Sequence, residues 1–288
     1  MLHSNHSNED SPVGGVILTD RDFQHIQETM YARTGVLLKS SKKPLVVARL
    51  RKRLLELKMN SFSQYLSHLA KQGEAEMEIL VNAITTNETF FFRHSEQFNM
   101  LYETILPEIC AAREAAGGEL KLQVWSAACS SGEEPYSLAI ALLEFFKSRP
   151  RWRFKVCASD INTEVLREAA AGEYGERSIK YVSDTLKERY FRKAEAPGRP
   201  MFVLKPMLKQ YVEFRQHNLL AQWSQGMNDI IFLRNAMIYF DRDAKARVVA
   251  SAEKSLRVGG YFFVSLSETL NDVSSTMKFV KSGVYKKS

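Results

Sequence analysis

The segment WSAACSSGEEPYSLA, residues 125–139, leads from an apolar run through small residues and one glycine to two adjacent glutamates. The run LKLQVW before it predicts a β-strand, and EEPYSLAIALLEFF after it predicts an α-helix. Ligands of open parallel sheets bind beyond the carboxyl ends of the strands. Glu133 and Glu134 therefore mark a candidate binding crevice with an acidic loop.

The residues of this loop limit the kind of ligand. A dinucleotide site needs the spacing G-x-G-x-x-G, which lets the backbone approach a pyrophosphate. Here Gly132 stands alone and two carboxylates would repel a phosphate, which disfavours NAD and ATP. A nucleoside that carries positive charge and no phosphate suits the loop better. S-adenosylmethionine, with its ammonium and sulfonium groups, is such a ligand.

A further acidic residue, Asp160, ends the next predicted strand, FKVCASD. Its two carboxylate oxygens could accept hydrogen bonds from both hydroxyls of a ribose. Both the loop carboxylates and Asp160 could instead serve only to cap the helices that follow them. The loop contains the capping-box pattern S-x-x-E, as Ser130 with Glu133 or Ser131 with Glu134, and Asp160 could cap the helix NTEVL. Acidic residues at two successive strand ends favour the ligand site.

The stretch TTNETFFFR leaves two interpretations open. Its three phenylalanines are typical of core or interdomain packing. The polar residues Asn87 and Thr89 fit a turn at the end of a helix, and Arg93 fits an ordinary surface charge. On the residues alone, a structural role is favoured over a functional one.

Composition bounds the class of protein. The 288 residues are 45% hydrophobic and 25% charged, as in soluble globular proteins of one large domain or two smaller ones. No apolar run approaches the ~20 residues of a membrane span, and the polar N-terminus predicts a flexible tail over residues 1–18.

Three cysteines without a C-x-x-C pair indicate a reducing, cytoplasmic compartment. The histidines lack metal-ligand spacing, and the net charge of +7 favours an anionic partner.

The first part of the chain predicts an all-α domain over residues 19–90. Capping boxes begin helices at Thr19 and Ser61, and a fourth helix is expected from Glu74 into TTNETFFFR. Between them, PLVVARLRKRLLELK predicts a basic helix with one apolar face. That face is expected to consist of Val47, Leu50, Leu54 and Leu57.

From about Lys121, short strand patterns alternate with helix patterns, which predicts parallel strands joined by crossover helices. The alternation breaks over about residues 174–217, where RPMFVLK and KQYVEFRQ predict two antiparallel strands around a turn. The expected fold class is therefore α/β: a Rossmann-like domain over 91–288 with a small antiparallel β insertion, preceded by the all-α domain.

These stretches together resemble the chemotaxis receptor methyltransferases, the CheR family. The matching motifs are ITTNETFFFR, VWSAACSSGEEPYSLAIAL, ASDINTEVL, YVEFRQHNLL, DIIFLRNAMIYFD and GGYFFVSLSETL, in the family's order, from about residue 20 to the end. The resemblance implies a class I S-adenosylmethionine-dependent methyltransferase without a metal. It also implies the reaction, in which glutamate side chains of chemoreceptors become γ-glutamyl methyl esters and S-adenosylhomocysteine is released.

The resemblance also implies roles for particular residues. Arg93 and Tyr239 are expected to orient the acceptor, Asp160 to hold the ribose, and Glu133 to meet the amino-acid part of the cofactor, with Glu134 as its alternative. The cofactor contacts implied by the motifs are Asn87, Thr89, Arg93, Glu133, Glu134, Asp160, Asn218, Leu219, Leu233, Arg234 and Asn235.

Two surfaces are candidates for receptor capture. Arg49, Lys52 and Arg53 form a basic row that could bind an acidic receptor helix, although a solvated helix face explains the same pattern. The edge of the inserted sheet could bind a receptor's C-terminal tail by strand addition. We expect a monomer that is recruited to membrane receptor arrays and binds no nucleic acid. The rival hypotheses are a nucleic-acid methyltransferase and a non-catalytic receptor-binding module.

Overall fold

The computed structural model describes residues 16–196 and 199–288, and the chain divides into two compact units between Thr85 and Thr86. Residues 1–15 of the expected tail lie outside the described residues, whereas Leu18 is buried. The division lies before the boundary expected at residue 90. Residues 86–90 join the second unit, where the carbonyl oxygen of Asn87 accepts from Ser130 Oγ at 2.9 Å and the ring centroid of Phe90 lies 5.3 Å from that of Tyr181.

Residues 16–85 form a helical unit. Its described elements are α1 (Asp20–Thr34), a 3₁₀ turn (Ser40–Lys42), α2 (Lys43–Glu56), α3 (Phe62–Gln72) and α4 (Glu74–Ile84). The predicted caps are confirmed, since Thr19 Oγ1 accepts from Asp22 N at 3.1 Å and Ser61 Oγ accepts from Gln64 N at 3.2 Å. These side chains satisfy backbone donors that a helix N-terminus leaves without an intrahelical partner.

Two sequence expectations for this unit are corrected. The buried face of α2 is Val46, Leu50 and Leu54, whereas Val47 and Leu57 are only half-buried. The fourth helix ends at Ile84, because Thr85 is extended and β-branched residues favour that conformation over a helix. TTNETFFFR is therefore not helical, and its residues from Thr86 onwards belong to the second unit.

Arg53 and Arg49 of α2 are engaged inside the helical unit. The Arg53 guanidinium pairs with the buried carboxylate of Glu76, with Nε at 2.9 Å from Oε1, and with Glu56 at 3.2 Å. Arg49 Nη1 donates to the carbonyl oxygens of Ile84 and Thr85, both at 2.6 Å. Lys52 Nζ lies 3.8 Å from Glu56 Oε1, but the Lys52 side chain is 88% exposed, so this is a surface contact.

The second unit begins with a helical stretch and continues with alternating strands and helices. Its helices are α5 (Ser95–Met100), a π-helical turn (Leu101–Ile105), α6 (Leu106–Ala115), α7 (Glu133–Phe146), α8 (Thr163–Ala171), α9 (Glu176–Ile179), α10 (Asp184–Tyr190), α11 (Pro206–Lys209), a 3₁₀ turn (Met237–Tyr239) and α12 (Arg242–Ser255). Its strands are β1 (Lys121–Ala127), β2 (Arg153–Asp160), β3 (Glu173–Gly175), β4 (Phe191–Ala196), β5 (Arg199–Leu204), β6 (Val212–Gln216), β7 (Asn228–Leu233), β8 (Leu256–Phe263), β9 (Lys278–Lys281) and β10 (Val284–Lys286).

The main sheet has seven strands in the order β6-β2-β1-β7-β8-β10-β9. Strands β6, β2, β1, β7 and β8 are parallel, and β10 runs antiparallel to both neighbours. Alternate residues of β1 enter different hydrophobic clusters, Val124 on one face and Trp125 on the other. Because β2, β1 and β7 are adjacent and parallel, their carboxyl ends lie side by side at one edge of the sheet, where ligands of open α/β sheets bind.

The inserted sheet differs from the predicted pairing. It has three strands in the order β3-β5-β4, all antiparallel, and spans residues 173–204. The predicted partner of β5, KQYVEFRQ, instead forms β6, which pairs with β2 in the main sheet from Val156↔Val212 onwards. The expectation was wrong because strand patterning does not identify the partner, and the short α11 between β5 and β6 allows the chain to change sheets.

Two properties relevant to function concern the described part of the chain. Among residues 16–196 and 199–288, no helix has both the length and the apolar character that a bilayer span requires. Within the same ranges, no group of three or more His, Cys, Asp or Glu side chains is arranged to hold a metal ion.

The ion pair of α2 gives a stability prediction. We expect Arg53→Met to lower the free energy of unfolding by about 2–4 kcal/mol, because Glu76 would remain buried without its cation. Lys52→Met is the matched control on the same helix and should change stability by less than about 0.5 kcal/mol. Urea unfolding followed by circular dichroism measures both. Equal effects of the two variants would contradict a structural role for Arg53.

Candidate active site

The loop between β1 and α7 has an unusual backbone that small residues allow. Ala128, Ser130 and Gly132 have φ angles of 58°, 51° and 93°. At Gly132 a Cβ atom would stand 2.8 Å from Cβ of Ala169 and 3.0 Å from the hydroxyl of Tyr174. Glycine is therefore required at position 132 for two reasons: the backbone is left-handed there, and α8 leaves no room for a side chain.

Asp160 joins this loop to the end of β2. Its Oδ2 accepts from Ser130 N at 2.8 Å and its Oδ1 accepts from Asn162 N at 3.0 Å. Burial raises the pKa of Asp160, while the backbone N–H groups of Asn162 and Ser130 lower it. Each carboxylate oxygen keeps a further lone pair for a ligand hydroxyl.

The two local alternatives for these residues are wrong. The N-cap of α7 is Gly132, without a capping side chain, so neither S-x-x-E pair forms a capping box. The N-cap of α8 is Asn162, whose side chain accepts from Glu164 N and Val165 N. The carboxylate of Asp160 is therefore not used to begin a helix.

Glu134 lies at the centre of a buried polar network. Its Oε2 is 2.7 Å from Arg234 Nε, and its Oε1 accepts from Ser126 Oγ at 2.7 Å. The side chains of Arg234 and Glu134 are 2% and 11% exposed. The network thus connects the end of β1, the first turn of α7 and the residue after β7.

Arg234 also holds the segment TTNETFFFR against the crevice. Its Nη1 donates to the carbonyl oxygen of Arg93 at 2.6 Å and to Gln97 Oε1 at 3.1 Å. At the other end of the segment, Ser130 Oγ donates to the carbonyl oxygen of Asn87 at 2.9 Å. Residues 87–93 therefore border the same crevice as Asp160 and Glu134.

The side chains in this segment have different environments. Asn87, Thr89 and Arg93 are half-buried, whereas Phe91 is fully buried. Arg93 Nη1 donates to the carbonyl oxygen of Glu88 at 2.9 Å, and its guanidinium lies 5.5 Å from the ring centroid of Phe90. The guanidinium of Arg93 thus stays near the surface.

Glu133 faces away from Arg234 and Glu134. Its Oε2 accepts from Ser131 Oγ at 2.8 Å and its Oε1 from Ser178 Oγ of α9 at 2.9 Å. Burial raises the pKa of Glu133, and the two serine hydroxyls lower it. Both glutamates are buried, at 3% and 9% exposure, so they do not form the open acidic loop that the sequence suggested.

The remaining expected site residues lie at the carboxyl ends of β6 and β7. Asn218 Oδ1 accepts from Leu220 N at 3.0 Å, and Leu219 is half-buried against the core. Leu233 is 1% exposed and packs in the core, so only its backbone can border the crevice. Asn235 has a φ of 61°, and Tyr239 is half-buried in the 3₁₀ turn.

Two buried residues of the site, Gln97 and Glu268, were not anticipated. Gln97 Oε1 accepts from Arg234 Nη1 at 3.1 Å, and Glu268 Oε2 accepts from Asn235 N at 2.9 Å. Gln97 is fully buried, and its Nε2 donates to the carbonyl oxygens of Val264 and Ser282, both at 2.8 Å. A polar residue within an apolar pattern was the available signal, but its partners are distant in sequence.

The charged side chains of the crevice suit a cationic nucleoside. Three buried carboxyl groups, of Glu133, Glu134 and Asp160, accompany one buried guanidinium at the carboxyl ends of the strands. This excess of acidic groups is unfavourable for a pyrophosphate and favourable for a sulfonium. Together with the strand order, it defines a class I S-adenosylmethionine-dependent methyltransferase domain.

Comparisons with known proteins define the family. Residues 87–286 match the family model of the CheR methyltransferase SAM binding domain, and residues 21–85 match that of the CheR methyltransferase all-alpha domain. Relatives include chemotaxis protein methyltransferase 2 of Pseudomonas aeruginosa, which is 40% identical over 93% of both chains. The chemotaxis protein methyltransferase of Salmonella typhimurium is 38% identical over 89% of this chain and 86% of its own. The chain therefore belongs to the CheR methyltransferase family, and the predicted fold class and cofactor are confirmed.

The geometry of Asp160 gives a binding prediction. We expect Asp160→Asn to weaken S-adenosylhomocysteine binding by about 10–100-fold, because an amide replaces one charged acceptor oxygen with a donor. Isothermal titration calorimetry measures the Kd. Asp229→Asn is the control, since Asp229 is also buried but accepts from Gln123 N and pairs with Arg113 near the opposite end of the strands. Unchanged affinity in Asp160→Asn would contradict the assignment.

Proposed function

We propose that this chain transfers a methyl group from S-adenosylmethionine to glutamate side chains of chemoreceptors and forms γ-glutamyl methyl esters. One observation carries the proposal: the chain matches proteins named chemotaxis protein methyltransferase over 93% and 89% of its length. The crevice at the carboxyl ends of β1, β2 and β7 supports the proposal, because its buried carboxyl groups suit the cofactor of that family.

The acceptor needs little activation. A glutamate has an ordinary pKa of ~4.3, so at neutral pH it is already an anionic nucleophile. Bound S-adenosylmethionine supplies an electrophilic methyl group next to a sulfonium. The protein is therefore not required to provide a general base, and its contribution is alignment, which can supply up to ~7–11 kcal/mol of the barrier.

We assign the cofactor contacts to residues that border the crevice. Asp160 would accept from the ribose, and Asn87 and Thr89 would contact the cofactor from the segment that Arg234 and Ser130 hold. The other proposed contacts are Asn218, Leu219, Asn235 and the backbone of Leu233. Because Glu134 pairs with Arg234 and Glu133 with two serines, these two glutamates and Arg234 would shape the crevice and contact the cofactor only at its edge.

Arg93 and Tyr239 are the proposed residues for orienting the acceptor carboxylate. The guanidinium of Arg93 is half-buried and donates to a backbone carbonyl, not to a carboxylate. A guanidinium near solvent can guide an anion without forming a fully desolvated ion pair, which would stabilise the nucleophile too strongly. Tyr239 supplies a phenol on the loop after β7, four residues after Asn235.

For receptor capture we propose the exposed face of α2. Arg49 and Arg53 are held by partners within the helical unit. Lys52 lies 3.8 Å from Glu56 but its side chain is 88% exposed, so of the three it is the most accessible to a receptor. Arg49 and Arg53 would contribute through their positive potential. An acidic stretch of a receptor's cytoplasmic helix is the partner that this charge would attract.

A second proposed contact is a receptor tail at the inserted sheet. β4 pairs with β5, and among the described residues it has no partner on its other side. An unpaired strand edge can accept an extended peptide by strand addition. A monomer acting at cytoplasmic receptor arrays is the arrangement that this proposal implies.

Incubation of the protein with methyl-labelled S-adenosylmethionine and receptor-containing membranes tests the function. We expect label on receptor protein that mild base releases as methanol, since a methyl ester is base-labile. Membranes without receptors provide the control. Label in nucleic acid would instead indicate the nucleic-acid methyltransferase, and receptor binding without label would indicate the non-catalytic module; either result contradicts the proposal.

A further inference from the structure

Glu268 is a buried carboxylate that connects two loops at the acceptor side of the crevice. Its Oε2 accepts from Asn235 N at 2.9 Å and from Ser265 N at 2.9 Å, and its Oε1 accepts from Ile238 N at 3.3 Å. Asn235 and Ile238 follow β7, and Ser265 follows β8. One side chain therefore holds the backbone of both loops.

The hydrogen bonds described for the Glu268 carboxylate all come from backbone N–H groups. The residue is only 9% exposed, and within the described ranges no Lys, Arg or His side chain forms an ion pair with it. The loops and the carboxylate thus depend on one another for their polar contacts.

The loop after β7 depends on this external acceptor. Asn235 is held in a left-handed conformation with a φ of 61°. The 3₁₀ turn Met237–Tyr239 has no side-chain cap from its own N-cap residue, Ala236. Because the first N–H groups of a helical turn lack internal partners, the bond from Ile238 N to Glu268 acts as the missing cap.

We propose that Glu268 is a positioning residue for methyl transfer: by fixing the backbone of residues 235–238 it places Tyr239 for the acceptor glutamate. This inference rests on the proposed function. Tyr239 is the residue after Ile238, and its own N–H donates to the carbonyl oxygen of Ala236 at 3.2 Å. A shift of the turn would therefore move the phenol directly.

Of the proposed cofactor contacts, Glu268 holds only Asn235, through its backbone N–H. The network of Asp160, Ser130, Glu134 and Arg234 uses other atoms and does not include Glu268. Loss of the Glu268 carboxylate should consequently affect turnover and receptor binding more than cofactor affinity. A purely structural residue would lower stability without separating these quantities.

Glu268→Gln tests the proposal with little change in side-chain volume. The amide of the Glu268→Gln variant has only one acceptor oxygen. Its NH₂ group would therefore face a backbone N–H of one loop, and the hydrogen bond to that loop would be lost. We expect kcat for receptor methylation to fall at least about tenfold, while the Kd for S-adenosylhomocysteine rises by no more than about threefold, because only one proposed cofactor contact, Asn235, is held by Glu268. Hydrogen exchange should accelerate at residues 235–239 and 265–267 and stay unchanged in β1 and α7.

Glu253→Gln is the matched control. Glu253 is also a carboxylate that holds a loop, accepting from Thr276 N at 3.0 Å and from Ser275 Oγ at 3.1 Å, and it is outside the crevice. This variant should keep the parental kcat. If Glu268→Gln does not fold, Glu268→Asp retains the charge with a shorter reach and should show the same selective loss of kcat.

Two results would overturn the inference: a kcat within twofold of the parent in a folded Glu268 variant, or equal losses of kcat and cofactor affinity. The parental protein is assayed first on the same receptor membranes. Absence of base-labile label with the parental protein would refute the proposed function itself, whereas an active parent with an equally active Glu268 variant would refute only the positioning role.

Discussion

The buried ion pair between Arg234 and Glu134 is the interaction on which the crevice depends. Taking two charges out of water costs several kcal/mol per ion, and the attraction between them offsets this cost only with good geometry and further hydrogen bonds. Ser126, Gln97 and the carbonyl oxygen of Arg93 provide those bonds. Because these partners belong to separate segments, the requirement to satisfy one guanidinium brings them together.

Buried carboxylates repeat this principle at the neighbouring strand ends. Asp160 holds the loop after β1, and Glu268 holds the loops after β7 and β8, in each case through backbone N–H groups. Loops at the edge of a sheet have few packing contacts, so such bonds determine their shape. The side chains that remain for ligands are half-buried: Tyr239 on the loop that Glu268 holds, and Arg93 on the segment that Arg234 and Ser130 hold.

Local patterns predicted the parts of the fold that local physics controls. The caps at Thr19 and Ser61, the parallel strands and the strand-end position of Asp160 follow from spacing and residue type. Strand pairing could not be predicted from spacing and residue type: β6 pairs with β2 in the main sheet, not with β5. Nor could the different directions of Glu133 and Glu134, which are about 100° apart on a helix; their long-range partners, Ser178 and Arg234, decide what each does.

Arg234→Lys tests the central claim most directly, because lysine keeps the charge but lacks the fork that reaches Glu134, Gln97 and the carbonyl of Arg93 together. The measurement is the rate of base-labile methyl ester formation on receptor membranes, with thermal unfolding monitored in parallel. The ion-pair account predicts a folded protein whose rate is lower by about 100-fold, as expected for a displaced reacting group. A folded Arg234→Lys protein that retains more than half of the parental rate would contradict it.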